Sequence, residues 1–240
     1  MKKIIALSLL TSTLVLAQDA KNPLVSHAEF GFIDTKGNTN TQTYNLEASL
    51  KKTKEQHSLE FKFDGQYAED DGDEIKNKYA ATLEYNYAFN PTIALSAIAG
   101  YKDDKFSGFD YQAYAGPGVK WQAYKSEKQA LSLDAAILYS IDKYEFEQNG
   151  EESNDYAAGR AKLAYELVVL ENLKFTQDLS YRVDLGESEN YFIYSKSALT
   201  SKISDIFSAG LSYKIDYANT PPSGKEYTDK TLTANLIVDF

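Results

Sequence analysis

Apolar and polar residues alternate along most of this chain. Within residues 207–217, Phe207 and Leu211 lie at odd-numbered positions among other apolar or aromatic residues, whereas Ser212 and Lys214 lie at even-numbered positions. A repeat of two residues is the signature of a β-strand whose two faces meet different surroundings. The same repeat recurs upstream and continues through the last segment of the sequence. We therefore expect an all-β protein.

Twelve alternating segments can be counted after the N-terminal region. They begin near Val25, Asn40, Gln56, Ile75, Pro91, Phe109, Glu127, Asp155, Glu171, Ser188, Ser204 and Lys225. The links between them are in turn short, such as FNPT, and longer, polar and acidic, such as AEDDGDEIKN and EFEQNGEESND. This alternation predicts an antiparallel up-and-down transmembrane β-barrel of about 12 strands, with short periplasmic turns and longer acidic extracellular loops.

A soluble β-sandwich is the main alternative fold, because its strands also alternate. Strands in globular proteins average about 5–6 residues, whereas these segments run to about 10–16 residues, which is long enough to cross a bilayer at a tilt. Strand length therefore favours the transmembrane barrel.

The first residues are organised like a secretory signal peptide. Two lysines precede a short apolar run, and Val15 and Ala17 occupy the small-residue positions of a cleavage site. The run is too short to span a bilayer comfortably, which disfavours an uncleaved anchor helix. We expect residues 1–17 to be removed and residues 18–240 to form one barrel domain in the outer membrane.

The last segment ends on an aromatic residue, Phe240, while it is still alternating. In a closed barrel the last strand pairs with the first, so a strand that runs to the terminus leaves no exposed edge. Such an ending resembles the terminal signal that the barrel assembly machinery reads. We therefore predict Phe240 as an assembly signal, with that machinery, outer-membrane lipid and lipopolysaccharide as partners and a monomer as the default state.

The composition narrows the possible functions. The 240 residues carry a formal charge of −10, which argues against a nucleic-acid partner because such binding needs a basic surface. There is no cysteine, which excludes thiolate metal sites and a cysteine nucleophile. The 19 tyrosines suit the interfacial girdles of a membrane barrel, where we expect Tyr85, Tyr87, Tyr213 and Tyr217.

Three stretches resemble one known family. They are GFIDTKGNTNT at residues 31–41, GPGVKW at 116–121 and the closing stretch 213–240, and they are similar to the YdiY-like salt-induced outer membrane proteins, a family with a domain of unknown function. The resemblance implies a Gram-negative outer-membrane location and a link to salt or osmotic stress. It implies no catalytic residue.

The polar face of the strands is expected to line the lumen. Its charged members are Glu29, Glu47, Lys51, Glu60, Lys62, Asp64, Glu84, Lys120, Asp134, Arg160, Lys162, Glu166, Lys174, Asp178, Arg182, Lys214 and Asp216. Their signs nearly balance, and a selective pore would need an excess of one sign. Two functions fit: a narrow passive channel for small solutes or ions in envelope or osmotic adaptation, or an occluded barrel, braced by ion pairs, with a structural or surface-interaction role.

Other chemistry finds little support in the sequence. His27 and His57 are the two histidines, and neither lies near a nucleophile motif, so an outer-membrane hydrolase is less favoured and we predict no enzyme. The acidic stretch 69–74 lacks the ligand spacing of a calcium loop, and we expect no metal or cofactor. Pro117, between two glycines, predicts a bulge or kink that curves its strand, and the functional alternative is a constriction or lateral opening there.

Overall fold

Twelve antiparallel strands form a closed barrel in the computed structural model, which describes residues 24–35, 40–148 and 150–239. The strands are β1 (Leu24–Thr35), β2 (Thr41–Lys54), β3 (His57–Asp70), β4 (Asp73–Ala88), β5 (Ile93–Asp104), β6 (Phe109–Lys125), β7 (Gln129–Gln148), β8 (Glu151–Leu170), β9 (Leu173–Asp184), β10 (Tyr191–Lys202), β11 (Phe207–Ala218) and β12 (Thr228–Asp239). Each strand pairs with its neighbours in sequence, and β12 pairs with β1. The predicted all-β barrel with 12 strands is confirmed.

The closing pair joins the two ends of the described chain. His27 lies opposite Asp239 and Gly31 lies opposite Asn235, so no strand edge is left open. The predicted signal peptide and Phe240 lie outside the described residues. No helix in the described ranges is long and apolar enough to cross a membrane.

The outer surface of the barrel is apolar and its interior is polar. On β11, Leu211 is 49 % exposed whereas Ser212 is 2 % exposed; on β12, Leu232 is 59 % exposed whereas Thr233 is 2 % exposed. A soluble protein shows the reverse, with apolar side chains inside. The arrangement is the one that lipid outside and a polar lumen inside would require.

Aromatic contacts run between neighbouring strands on the outer face. Phe32, Tyr44 and Tyr67 form one chain of rings across β1–β3, with centroids 5.0 and 6.3 Å apart. A second chain joins Tyr79, Tyr101 and Tyr111 across β4–β6. A third joins the rings of Tyr181, Tyr191 and Tyr217 across β9–β11. Such rings suit the interfacial zone of a membrane.

The two rims of the barrel differ less than predicted. One rim, here the short-turn rim, carries both ends of the described chain and five turns; the other, the long-loop rim, carries the remaining links. On the long-loop rim the predicted loop AEDDGDEIKN is mostly strand, because β3 and β4 are joined by the two residues Asp71 and Gly72. Their φ angles of 49° and 92° fit the hairpin turn in which both central residues have positive φ.

The predicted loop EFEQNGEESND is also largely strand, since β7 continues to Gln148 and β8 begins at Glu151. Both predictions were wrong for the same reason. Charged residues are frequent at these hairpin ends, as at Glu145 and Glu147 on β7, so the sequence pattern fades while the backbone hydrogen bonds continue.

The bulge predicted at Pro117 is absent from β6. The pairing with β7 keeps one register from Ala115–Tyr139 to Gly118–Ala136. The irregularities of this pair lie instead near its two ends, at Phe109–Tyr111 and Gln122–Tyr124. A proline removes one donor from the ladder without requiring an extra residue, and the flanking glycines let β6 lie close against β7.

Candidate functional site: a lumen crossed by ion pairs

Three carboxylates lie side by side on one wall of the interior. Glu29 on β1 is directly opposite Glu47 on β2, and Glu47 is directly opposite Asp64 on β3. Like charges at opposed positions of a sheet repel each other. This acidic row is therefore stable only if cations approach it.

Two lysines approach the acidic row from β10 and β11, which lie beyond β12 in the barrel wall. Lys196 on β10 lies opposite Lys214 on β11. The Nζ of Lys196 is 3.2 Å from Glu29 and 2.7 Å from Glu47. The Nζ of Lys214 is 2.8 Å from Glu47 and also contacts Asp64. Because β12, β1 and β2 separate β11 from β3, these contacts pass through the interior of the barrel.

A second ion-pair group spans the barrel nearer the long-loop rim. Asp216 on β11 contacts the Nζ of Lys78 on β4 at 2.5 Å and that of Lys102 on β5 at 3.7 Å. In a ring of twelve strands, β5 and β11 are six strands apart, which is diametrically opposite. We call this group the diametric bridge. It divides the cross-section of the lumen at its level.

Other predicted residues form smaller groups inside the barrel. The Nζ of Lys120 is 2.8 Å from Glu84 and 3.8 Å from Asp134. The Nζ of Lys162 is 3.0 Å from Asp178. These pairs join strands that are adjacent or nearly so, and therefore they line a wall without crossing the lumen.

The remaining predicted residues form two further pairs and one contact to Asp142, and two cations have no carboxylate partner in the described part of the chain. Glu60 and Lys62 are 3.2 Å apart, and Glu166 and Lys174 are 3.5 Å apart near the short-turn rim. Arg182 reaches Asp142 on β7 at 3.3 Å. Among the described residues, no carboxylate lies within ion-pair distance of Lys51 or Arg160.

The two histidines form hydrogen bonds without a nucleophile. His27 contacts Asp239 at 2.6 Å and Glu29 at 3.0 Å, at the junction of β1 and β12. His57 contacts the hydroxyl of Tyr85 at 2.6 Å, on the outer face. The described partners of both rings are carboxylates and a phenol, and this geometry carries no argument for hydrolysis.

The sequence matches one family over nearly all of the described chain. The profile of a family described as "Protein of unknown function, DUF481" matches residues 28–240. The chain belongs to the DUF481 family. This is the family of YdiY-like salt-induced outer membrane proteins, and the resemblance found in the sequence motifs is confirmed. Among curated proteins, no sequence matches that of this DUF481 protein.

Two solved barrels are similar to the DUF481 barrel in fold. The NanC porin is 8 % identical, with a TM-score of 0.52, over 90 % of this chain and 98 % of the porin. The COG4313 outer membrane channel from Pseudomonas putida F1 is 11 % identical, with a TM-score of 0.52, over 91 % of this chain and 95 % of that channel. The DUF481 barrel therefore has the fold of outer-membrane porins and channels.

Sequence reasoning missed several charged residues of this DUF481 lumen, among them Lys78, Lys102, Lys196 and Asp142. A stricter count along each strand could have found the first two, because Lys78 precedes the outward Tyr79 and Lys102 follows the outward Tyr101. The register near Lys196 was ambiguous, because both faces of β10 carry aromatic residues and serines.

Proposed function

We propose that this protein is a passive outer-membrane channel for small solutes or ions, narrowed by ion pairs that cross its lumen. The observation that carries the proposal is the inverted distribution of polarity. An apolar outer face surrounds an interior crossed by charged side chains, and a barrel with this distribution fits a bilayer outside and an aqueous path inside.

Buried amides beside the acidic row support water in the lumen. Asn45 and Gln66 lie opposite each other on β2 and β3 and are almost fully buried. The Oδ1 and Nδ2 of Asn45 and the Oε1 of Gln66 have no partner among the described residues. Buried polar groups of this kind are usually hydrogen-bonded to water, so we infer a hydrated lumen at this level.

The ion pairs determine the expected conductance and selectivity. The diametric bridge and the lysines over the acidic row narrow the path, so unitary conductance should be small. Three carboxylates in the row face two ammonium groups, and this near balance supports weak ion selectivity. A role in envelope or osmotic adaptation is supported by membership in a family of salt-induced outer membrane proteins.

An occluded structural barrel is the second candidate, and the diametric bridge is the observation that favours it. Because Asp216 and Lys102 meet from opposite walls, the same contacts that narrow a path could also close it. A hydrolase has no comparable support.

Planar-bilayer recording of the refolded mature protein separates these functions. We expect discrete conductance steps with weak selectivity, from protein shown to be folded by its heat-modifiable mobility in gels. Silence from folded protein would contradict the channel and leave the occluded barrel.

A further inference from the structure

A cavity of about 380 Å³ opens at the long-loop rim above the diametric bridge. Lys102 and Asp216 belong to its base, and Arg160, Arg182 and Phe192 belong to its walls. The cavity is the first recess that a solute entering from this rim would meet. Its lining combines aromatic rings with four cations, Lys102, Arg160, Arg182 and Lys225, and four carboxylates, Asp104, Asp216, Glu226 and Asp229.

The two guanidinium groups of the cavity form no ion pair, within the described chain, with a carboxylate of its lining. Arg160 on β8 lies directly opposite Arg182 on β9, a like-charged pair that is unfavourable unless an anion lies close. Among the described residues, the one carboxylate within ion-pair distance of either guanidinium is Asp142, which is 3.3 Å from Arg182.

Asp142 is also hydrogen-bonded to two other side chains. It accepts hydrogen bonds from Gln112 at 2.9 Å and from the hydroxyl of Tyr156 at 2.7 Å. The buried Nε of Arg160 has no partner in the described residues. The arrangement therefore leaves donor capacity for one more carboxylate, which a guanidinium can bind with two parallel hydrogen bonds.

Aromatic rings hold Arg182 in place and provide an apolar wall. The guanidinium carbon of Arg182 lies 4.5 Å from the ring centre of Phe192 and 5.6 Å from that of Tyr114. A stacked guanidinium is oriented in advance, so it loses little freedom when it binds an anion. A ring attached to that anion would have Phe192 and Tyr114 beside it.

Two loops complete the mouth of the cavity. Phe106 and Ser107 come from the β5–β6 loop, and Pro222 and Tyr227 come from the β11–β12 loop. The first loop is tied to β4, because the adjacent Lys105 donates a hydrogen bond to Glu74 at 2.6 Å. This bond raises the pKa of the Lys105 ammonium group above its usual value, which favours the charged form that the bond requires.

We propose that this cavity binds small organic carboxylates that carry a ring, with Arg160 and Arg182 holding the carboxylate and Phe192 and Tyr114 holding the ring. The inference rests on the proposed channel for its biological role, since it names the class of solute that the channel would take up at this rim. Binding itself does not require an open lumen, so the two proposals can fail separately.

Isothermal titration of the folded protein in detergent micelles with benzoate tests the proposal, after subtraction of a titration into micelles alone. Acetate lacks the ring and benzyl alcohol lacks the charge, and we expect both to bind at least about tenfold more weakly than benzoate. Glucuronate distinguishes two classes of ligand that both carry a carboxylate on a ring, namely sugar acids and aromatic acids. Binding as tight as that of benzoate would indicate sugar acids, and weaker binding would indicate aromatic acids.

Variants distinguish benzoate binding in the cavity from a general electrostatic attraction of benzoate to the protein. Arg160→Gln should weaken benzoate binding by about tenfold or more, because a charge-assisted hydrogen bond is lost, and Phe192→Leu should weaken benzoate more than acetate. Lys143→Gln removes a charge at the same rim outside the cavity and should leave binding unchanged. Equal affinity for benzoate, acetate and benzyl alcohol, or unchanged binding in folded Arg160→Gln, would overturn the proposal, whether or not the protein conducts.

Discussion

At the residue scale, Lys214 is the side chain on which the acidic row most depends. It is 3 % exposed and it contacts two of the three carboxylates of that row. A buried cation of this kind compensates the repulsion between Glu47 and Asp64, and removing one partner of a buried ion pair leaves an uncompensated charge.

Lys214→Gln should therefore lower stability and change selectivity together. We expect the free energy of unfolding to fall by about 3–5 kcal/mol, measured by urea unfolding in lipid vesicles. The uncompensated carboxylates should also make the channel prefer cations, measured by the reversal potential in a salt gradient. Lys230→Gln, an exposed lysine on the neighbouring β12, serves as the control and should change neither quantity. A variant as stable and as weakly selective as the wild type would show that Lys214 does not compensate the row.

The sequence could assign many of these charged residues to the polar face of their strands, but it could not show which of them form ion pairs. Alternation placed Asp64, Lys214 and Asp216 on the polar face of their strands, since that assignment needs only a period of two. Whether Lys214 meets Asp64 depends on the tilt and stagger of strands far apart in the chain, which one sequence does not show. That these residues line a conducting path stays a prediction.

At the element scale, the β6–β7 pair shows how a proline is accommodated within a barrel wall. A Cβ atom on Gly116 would collide with the backbone carbonyl oxygen of Ile137, and one on Gly118 would lie 2.7 Å from that of Ala135. Both obstacles are backbone atoms of β7, which cannot turn aside as a side chain can. The stretch GPG thus permits a close approach of two strands.

Gly116→Ala should push β6 away from β7. We expect a loss of about 1–3 kcal/mol in the free energy of unfolding, the usual cost of overpacking, measured as above. Gly159→Ala is the matched control. There the added carbon meets the flexible side chain of Leu185 at 3.2 Å, and we expect little change. Equal effects of the two substitutions would contradict the close approach at Gly116.

The strands themselves were predictable because each has a lipid-facing apolar side. Long alternating segments such as β11 were read from the sequence to within a few residues. The hairpin ends beyond Tyr67 and Lys143 were not, because charged residues are frequent there.

At the scale of the whole molecule, the barrel is an apolar cylinder whose interior is crossed at two levels by ion pairs. The level nearer the short-turn rim joins the acidic row to Lys196 and Lys214, and the level nearer the long-loop rim is the diametric bridge. In the proposed hydrated channel, the bridge limits the width of the path. Weakening it from either wall should therefore widen the path.

The most direct test of this account is the single-channel conductance of two bridge variants with opposite changes in charge. Asp216→Ala and Lys102→Gln should both raise unitary conductance above that of the wild type, because the first removes the carboxylate of the bridge and the second removes the contact from β5, leaving only that from Lys78 on β4. Their selectivities should move in opposite directions, toward anions for Asp216→Ala and toward cations for Lys102→Gln. Asp205→Asn, in an exposed turn, should match the wild type. Folded variants that conduct no better than the wild type, or that stay silent, would contradict the claim that the bridge narrows a water-filled lumen.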